Sequence, residues 1–201
     1  MMAAFTLLVL SVTVLASAAP TGPTSLNVSF HQSVTLSRKI LQDVHTLIVK
    51  YKQVKIGNPS FEDYSLLLNS LPSSRMDYGH WLEMQDEERL LLNYNDLQVF
   101  WMHVDTKWVH ELGQTQASVL IGSIEGISLD LRDLISQLNG QISALSSTSP
   151  DPPDVTLPHN VLNPAYDWYS KLQGYIIFRD LELYLNKVIR DFTLLKNKYR
   201  K

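Results

Sequence analysis

Residues 113–116 read "GQTQ". They separate two long stretches whose apolar residues recur at helical spacing, and their brevity decides the topology. A link this short obliges the helices that it joins to run antiparallel as neighbours. The stretch before it runs from Asp86 to Leu112, with Leu90, Tyr94, Leu97, Trp101, Val104 and Trp108 on one stripe and Gly113 as its stop. The stretch after it runs from Gln116 to Leu145, with Leu120, Ile124, Ile127, Leu131, Leu134, Leu138, Ile142 and Leu145 on one face. Gly122, Gly126 and Gly140 weaken that helix locally.

Two further stretches have the same period. One runs from Ser33 to Val54 with Leu36, Ile40, Val44, Leu47, Tyr51 and Val54 in its stripe. The other runs from Ala165 to Tyr199 with Ile177, Leu181, Tyr184, Val188, Phe192 and Leu195 in its seam. Long connections tie these to the middle pair: residues 55–85, with "KIGNPS" and "NSLPSS", and residues 146–164, "SSTSPDPPDVTLPHNVLNP". A long connection can cross the length of a bundle and leave its two helices parallel. The predicted fold is therefore all-α, a long-chain four-helix bundle, up-up-down-down with two long crossover loops. The apolar cluster "FEDYSLLL", Phe61 to Leu68, is expected to add a turn inside the first crossover.

The N-terminus reads "MMAAFTLLVLSVTVLASAAP". Phe5 to Leu15 have the length of a secretory h-region, and Ala16 to Ala19 supply small residues for cleavage after Ala18 or Ala19. A membrane span needs about 20 apolar residues, and this run stops short. The expected organisation is a leader over 1–19 and one domain over 20–201, giving a secreted, extracellular protein. Asn27 in "NVS" is a glycosylation acceptor, whereas Pro59 disqualifies Asn58.

Composition excludes several function classes. The 201 residues carry a net charge of −3, which gives no footprint for nucleic acid. With no cysteine there is no disulfide framework, thiolate metal site or cysteine nucleophile. The motifs of serine hydrolases, zinc proteases and phosphate-binding loops are missing. His103 and His110 are two turns apart on one helix, too far to share a metal ion without other ligands. The acids of "DEER", Asp86 to Arg89, suit a helix's first turn. "GSIEG" from Gly122 has small-residue spacing that permits close helix approach or marks a packing weakness. The basic C-terminus "LLKNKYRK" reads as a solvated, frayed helix end. An enzyme, a metal site and a cofactor are not expected, nor a small-molecule substrate or membrane insertion.

What remains is a bundle that works through its surfaces. On a helical wheel Trp168 lies about 140° from the centre of the last helix's seam, and Lys171 about 80° from it. Two coverings of that tryptophan are open: the Pro-rich loop folded over it, or a partner that uses an exposed aromatic beside a cation as an anchor. Lys187, Arg190 and Asp191 lie on another face, either as a solvated ion-pair surface or as the polar rim of a second patch.

Three segments resemble a known family. "SRKILQDVHTLIVKY" (37–51), "EERLLLNYNDLQVFW" (87–101) and "WYSKLQGYIIFRDLELYLNKVIRDFTLLKNK" (168–198) are similar, in that order, to the first, second and last helices of interleukin-6-type cytokines, in the branch of ciliary neurotrophic factor, cardiotrophin-like cytokine and leukaemia inhibitory factor. The third helix matches only in pattern, and the loops do not match. The resemblance implies a cytokine that gathers receptor ectodomains of the glycoprotein-130 and leukaemia-inhibitory-factor-receptor type and so activates JAK-STAT signalling. It implies a signalling-receptor contact at an aromatic-x-x-Lys motif, here Trp168 and Lys171, with Trp where the family usually has Phe. It implies a non-signalling α-receptor contact at Lys187, Arg190 and Asp191, and a shared-receptor surface for which Arg38, Gln42 and His45 are the candidates. Alternatives of other kinds are a helical-bundle carrier of an apolar ligand, which needs an internal cavity, and a growth-hormone-like hormone, whose crossover disulfides have no counterpart here.

Overall fold

The computed structural model describes residues 23–114 and 119–200. The expected leader and the second half of the short middle link, from residue 115, lie outside the described residues. Four long helices dominate: α1 (Pro23–Tyr51), α3 (Asp86–Leu112), α4 (Ile121–Ser146) and α6 (Asp167–Lys198). Two short ones, α2 (Tyr78–Glu83) and α5 (His159–Leu162), lie in the crossovers. Among the described residues there is no strand.

Side-chain contacts fix the directions. Asn27 reaches Lys196 and Tyr51 reaches Lys171, so α1 and α6 are antiparallel. Ser33 meets Gln137 and Lys39 meets Asp130, so α1 and α4 are antiparallel. Lys198 pairs with Asp86, and Lys107 donates to Ser170, so α3 also opposes α6. α1 and α3 therefore point one way and α4 and α6 the other, the up-up-down-down bundle that the link lengths predict. Each helix packs on two neighbours: α1 on α6 and α4, α3 on α4 and α6.

The core follows the stripes. Ile40, Val44, Leu90, Leu97, Phe100, Val104, Leu131, Leu134, Leu138, Phe178, Leu181, Val188 and Phe192 are fully buried. At about 25 cal/mol per Å² of apolar surface removed from water, this stripe is the main force that holds the four helices together. α3 and α6 match their predicted spans within two residues. α1 is longer than predicted. Leu26 and Phe30 continue its stripe upstream of Ser33, and Phe30 packs on Phe192 and Tyr199. Its other end widens into a π-helical turn over Lys52–Ile56, stopped by Gly57 at φ 79°, a conformation that glycine adopts at little cost.

Three expectations are corrected. Phe61 to Leu68 form no helical turn. The segment is held as a bent, non-helical run because buried Arg179 donates to the carbonyls of Asp63 (2.6 Å) and Leu66 (2.8 Å), and Tyr175 takes the Asp63 N–H. The crossover's helical turn is α2, where Asp77 caps the N–H of His80. The glycines of "GSIEG" permit no close approach, since a methyl built at Gly122 or Gly126 meets nothing. The close approach is at Gly174, where a methyl would overlap the Tyr51 hydroxyl. The C-terminal turn is not frayed: Tyr199 donates to Asp86 (3.0 Å) and Lys198 pairs with the same carboxylate (2.7 Å).

Candidate functional site

The first turn of α6 is fixed by neighbours on two sides. Lys107 of α3 donates to the Ser170 carbonyl (2.7 Å) and hydroxyl (2.9 Å), and the Tyr51 hydroxyl donates to the Lys171 carbonyl (3.1 Å). α5 is tied down as well, by His110 donating to Leu162 and Gln173 donating to Asn160. Burial depresses the Lys107 ammonium to about 8, opposed by nearby Glu111. Burial likewise pushes the Tyr51 phenol far up.

That rigid platform holds its aromatics outward. Trp168 is 48% exposed and Tyr169 54% exposed. Tyr166 stands against Tyr169 with ring centroids 5.6 Å apart. Lys171 lies one turn on and pairs with Asp167 at 2.6 Å. The exposed side chains of Val54, Val109, Leu112 and Leu162 lie at this same end of the bundle. A cleft of about 240 Å³ opens between the ends of α1, α3 and α6, with Lys55, Glu111, Asp167 and Lys171 in its wall. Lys55 and Glu111 pair across it at 2.7 Å. An apolar, aromatic centre with a charged rim is the composition of a protein-binding surface. The Pro-rich loop leaves half of Trp168 uncovered.

The second patch differs from the sequence expectation. Lys187 and Asp191 are buried, at 6% and 1% exposure, and form no surface rim. They face α3 and α2: Asp191 accepts from Arg89 (2.9 Å) and Asn93 (2.9 Å) of α3 and from the indole of Trp81 (2.6 Å) of α2. Lys187 donates to Asn93 (2.7 Å), and Tyr184 donates to Asp96 (2.6 Å). Arg89, Lys187, Asp96 and Asp191 thus form a charge-balanced, hydrogen-bonded cluster, the condition under which buried charge is tolerated. Burial lowers the Lys187 pKa and raises that of Asp96. Of the three expected residues only Arg190 is exposed, with its guanidinium 4.3 Å above the Trp81 ring. The exposed part of this patch is Arg190 with Tyr78 and Leu82 of α2. Sequence reasoning missed Trp81; the signal for it was Asp77 standing as an N-cap before "YGHW".

Arg38, Gln42 and His45 share one exposed face of α1. His45 donates to Glu182 of α6 at 2.8 Å. Asn27 sits within α1 rather than on a loop, and its amide donates to the Lys196 carbonyl at 2.7 Å. The two helix histidines serve the fold. His103 donates through Nδ1 to Val99 and accepts from Ser70 at Nε2, and it is fully buried.

The family model for interleukin 11 matches residues 20–199, nearly the whole of this up-up-down-down bundle. The chain belongs to that family. It is a helical cytokine of the interleukin-6 type, built as a long-chain four-helix bundle. Among curated proteins this cytokine is similar to cardiotrophin-2 of Mus musculus, with 25% identity over 184 residues, covering 90% of this chain and 89% of that protein. It is similar as well to cardiotrophin-2 of Pan troglodytes, with 24% identity over 188 residues and 92% and 89% coverage. Among the cytokine's described residues no helix is long and apolar enough to cross a membrane.

Proposed function

We propose that this cytokine is secreted after loss of residues 1–19 and acts by bringing together receptor ectodomains of the glycoprotein-130 and leukaemia-inhibitory-factor-receptor type, so that JAK-STAT signalling begins inside the cell. One signalling chain docks on Trp168 and Lys171. The outer face of α2 with Arg190 takes an α receptor, and Arg38, Gln42 and His45 take the second signalling chain. Simultaneous contact lets modest single-site affinities combine into a stable assembly. The start of the family match at residue 20, just past the expected cleavage point, supports the leader assignment.

The observation that carries the reading is the half-exposed Trp168 on a turn that Lys107 and Tyr51 hold rigid. A preorganised aromatic anchor loses little entropy on binding, and such anchors dominate interface energies. The test is Trp168→Ala with Lys171→Ala, measured against captured receptor ectodomains and by receptor phosphorylation in responsive cells. Removing a hot spot of at least about 2 kcal/mol weakens binding about thirtyfold and abolishes phosphorylation. Circular dichroism and the melting temperature stay near wild type, because neither side chain is buried. A double variant that signals normally removes the site assignment; one that unfolds makes Trp168 a packing residue.

A further inference from the structure

Among the described residues, the second crossover leaves three exposed hydroxyls without a hydrogen-bond partner, those of Ser147, Thr148 and Thr156, and the backbone singles out Thr148. Most hydroxyls on the long helices are engaged: Thr35, Thr46, Thr106, Ser143, Ser146 and Thr193 each donate to the carbonyl four residues back. After α4 ends, Ser147 takes φ 59°, and Ser149 is bonded to Ser143 at 3.0 Å. Thr148 between them is exposed, and its hydroxyl has no partner among the described residues. Pro150, Pro152 and Pro153 follow at once and hold the chain extended, without donors for a helix. No backbone–backbone hydrogen bond ties residues 148–157 among the described residues. Thr156 is exposed too, but Leu157 beside it is buried at 6% and Pro158 begins the cap of α5.

We infer that Thr148 is an O-glycosylation site, carrying a mucin-type sugar begun by N-acetylhexosamine. A glycosyltransferase must take its acceptor as a short extended strand with a free hydroxyl, and Ser/Thr-rich sequence with proline supplies that form. In the transfer Thr148 Oγ1 attacks the anomeric carbon of a uridine-diphosphate N-acetylhexosamine. The glycosidic C–O bond forms as the sugar–phosphate bond breaks, the nucleoside diphosphate leaves, and the hydroxyl proton passes to the transferase. The sugar stands at the C-terminal end of α4, where α3 begins, beside a cleft of about 500 Å³ that exposes Leu91. It covers that apolar edge and lies at the end of the bundle opposite Trp168, leaving the aromatic platform clear.

The inference rests on the secretory route proposed above, and the test separates the two. The full chain is expressed in cultured animal cells, and protein from medium and lysate is digested and sequenced by electron-transfer mass spectrometry. The expected result is an N-acetylhexosamine mass on Thr148 of the medium protein, lost in Thr148→Ala and kept in Thr156→Ala. Medium protein with bare Thr148, including protein that carries sugar on a neighbouring residue instead, overturns this site while secretion stands. Protein confined to the lysate overturns secretion and this site with it.

Discussion

Asp191 is where the last helix stops being a surface and becomes part of the core. Its two oxygens accept from Trp81, Arg89 and Asn93, and Lys187 lies 3.5 Å away. Asp191→Ala leaves Arg89 and Lys187 buried with less than their counter-charge, and breaking such a pair costs about 3–5 kcal/mol. Urea titration is expected to show that loss at an unchanged m value. Asp43→Ala, which removes only an exposed pair with Lys39, is expected to change stability by less than about 1 kcal/mol. Gly174→Ala tests a different constraint. The added methyl overlaps the Tyr51 ring, so the side chain that holds the Lys171 carbonyl must move. Overpacking of this kind costs about 1–3 kcal/mol. A second readout is the mobility of Trp168, seen as a fall in its fluorescence anisotropy. Single-residue legibility was uneven for a physical reason. A wheel suffices to turn Trp168 away from the seam, since that direction depends on its own helix, while its 48% exposure also required that the Pro-rich loop leave it uncovered. Lys187 and Asp191 read as surface charges because their partners Arg89 and Asn93 lie about a hundred residues away, on a helix whose rotation the sequence does not state.

Among the elements, α2 shows what holds a crossover in place. It has six residues, too few to be stable alone. Trp81 anchors it: the indole N–H reaches Asp191, the guanidinium groups of Arg89 (5.0 Å) and Arg190 (4.3 Å) both stand over the ring, and Arg89 donates back to the Trp81 carbonyl (2.6 Å). Trp81→Phe keeps an apolar ring and deletes the hydrogen bond to a charged acceptor, worth about 1.5–3 kcal/mol. Amide hydrogen exchange over residues 78–85 is expected to quicken more than that of α3 or α6. Uniform quickening across the bundle would mean that α2 is not a separate opening unit. The long helices were legible because their stripes repeat over many turns. The start of α1 was not: the predicted stripe begins at Leu36, whereas Leu26 and Phe30 carry it upstream of Ser33. The non-helical run Phe61 to Leu66 was misread because Arg179, far along the chain, supplies the hydrogen bonds that a helical turn would have made locally.

At the scale of the whole molecule, link lengths alone gave the helix directions, but the polar groups that the bundle encloses set its response to pH. Stability rises with pH wherever the unfolded chain binds more protons than the folded one. On the acid side burial lowers the pKa values of His103 and His110 from 6.5, so the unfolded histidines take up protons first. Stability is therefore lost as pH falls below about 6.5. On the alkaline side Lys107 is depressed from 10.5 to about 8 by burial, and Lys187 is shifted the same way. Between about 8 and 10 the unfolded lysines keep protons that the folded ones shed, and stability climbs. Tyr51 and Tyr184, pushed upward by burial, then reverse the trend: above about 10 the unfolded tyrosines ionise and the folded ones do not. The melting temperature is thus expected to dip below pH 6.5, stay level through neutrality, rise from 8 and fall beyond 10. Lys107→Met should flatten much of the rise from 8, leaving the part due to Lys187, and should soften the acid limb only in part, because the Lys107 charge adds to the burial that lowers the His110 pKa while His103 is unaffected. An unaltered alkaline rise in Lys107→Met would mean that the ammonium holding the first turn of α6 is solvated rather than enclosed. The rigidity of the Trp168 platform would then have to come from Tyr51 alone.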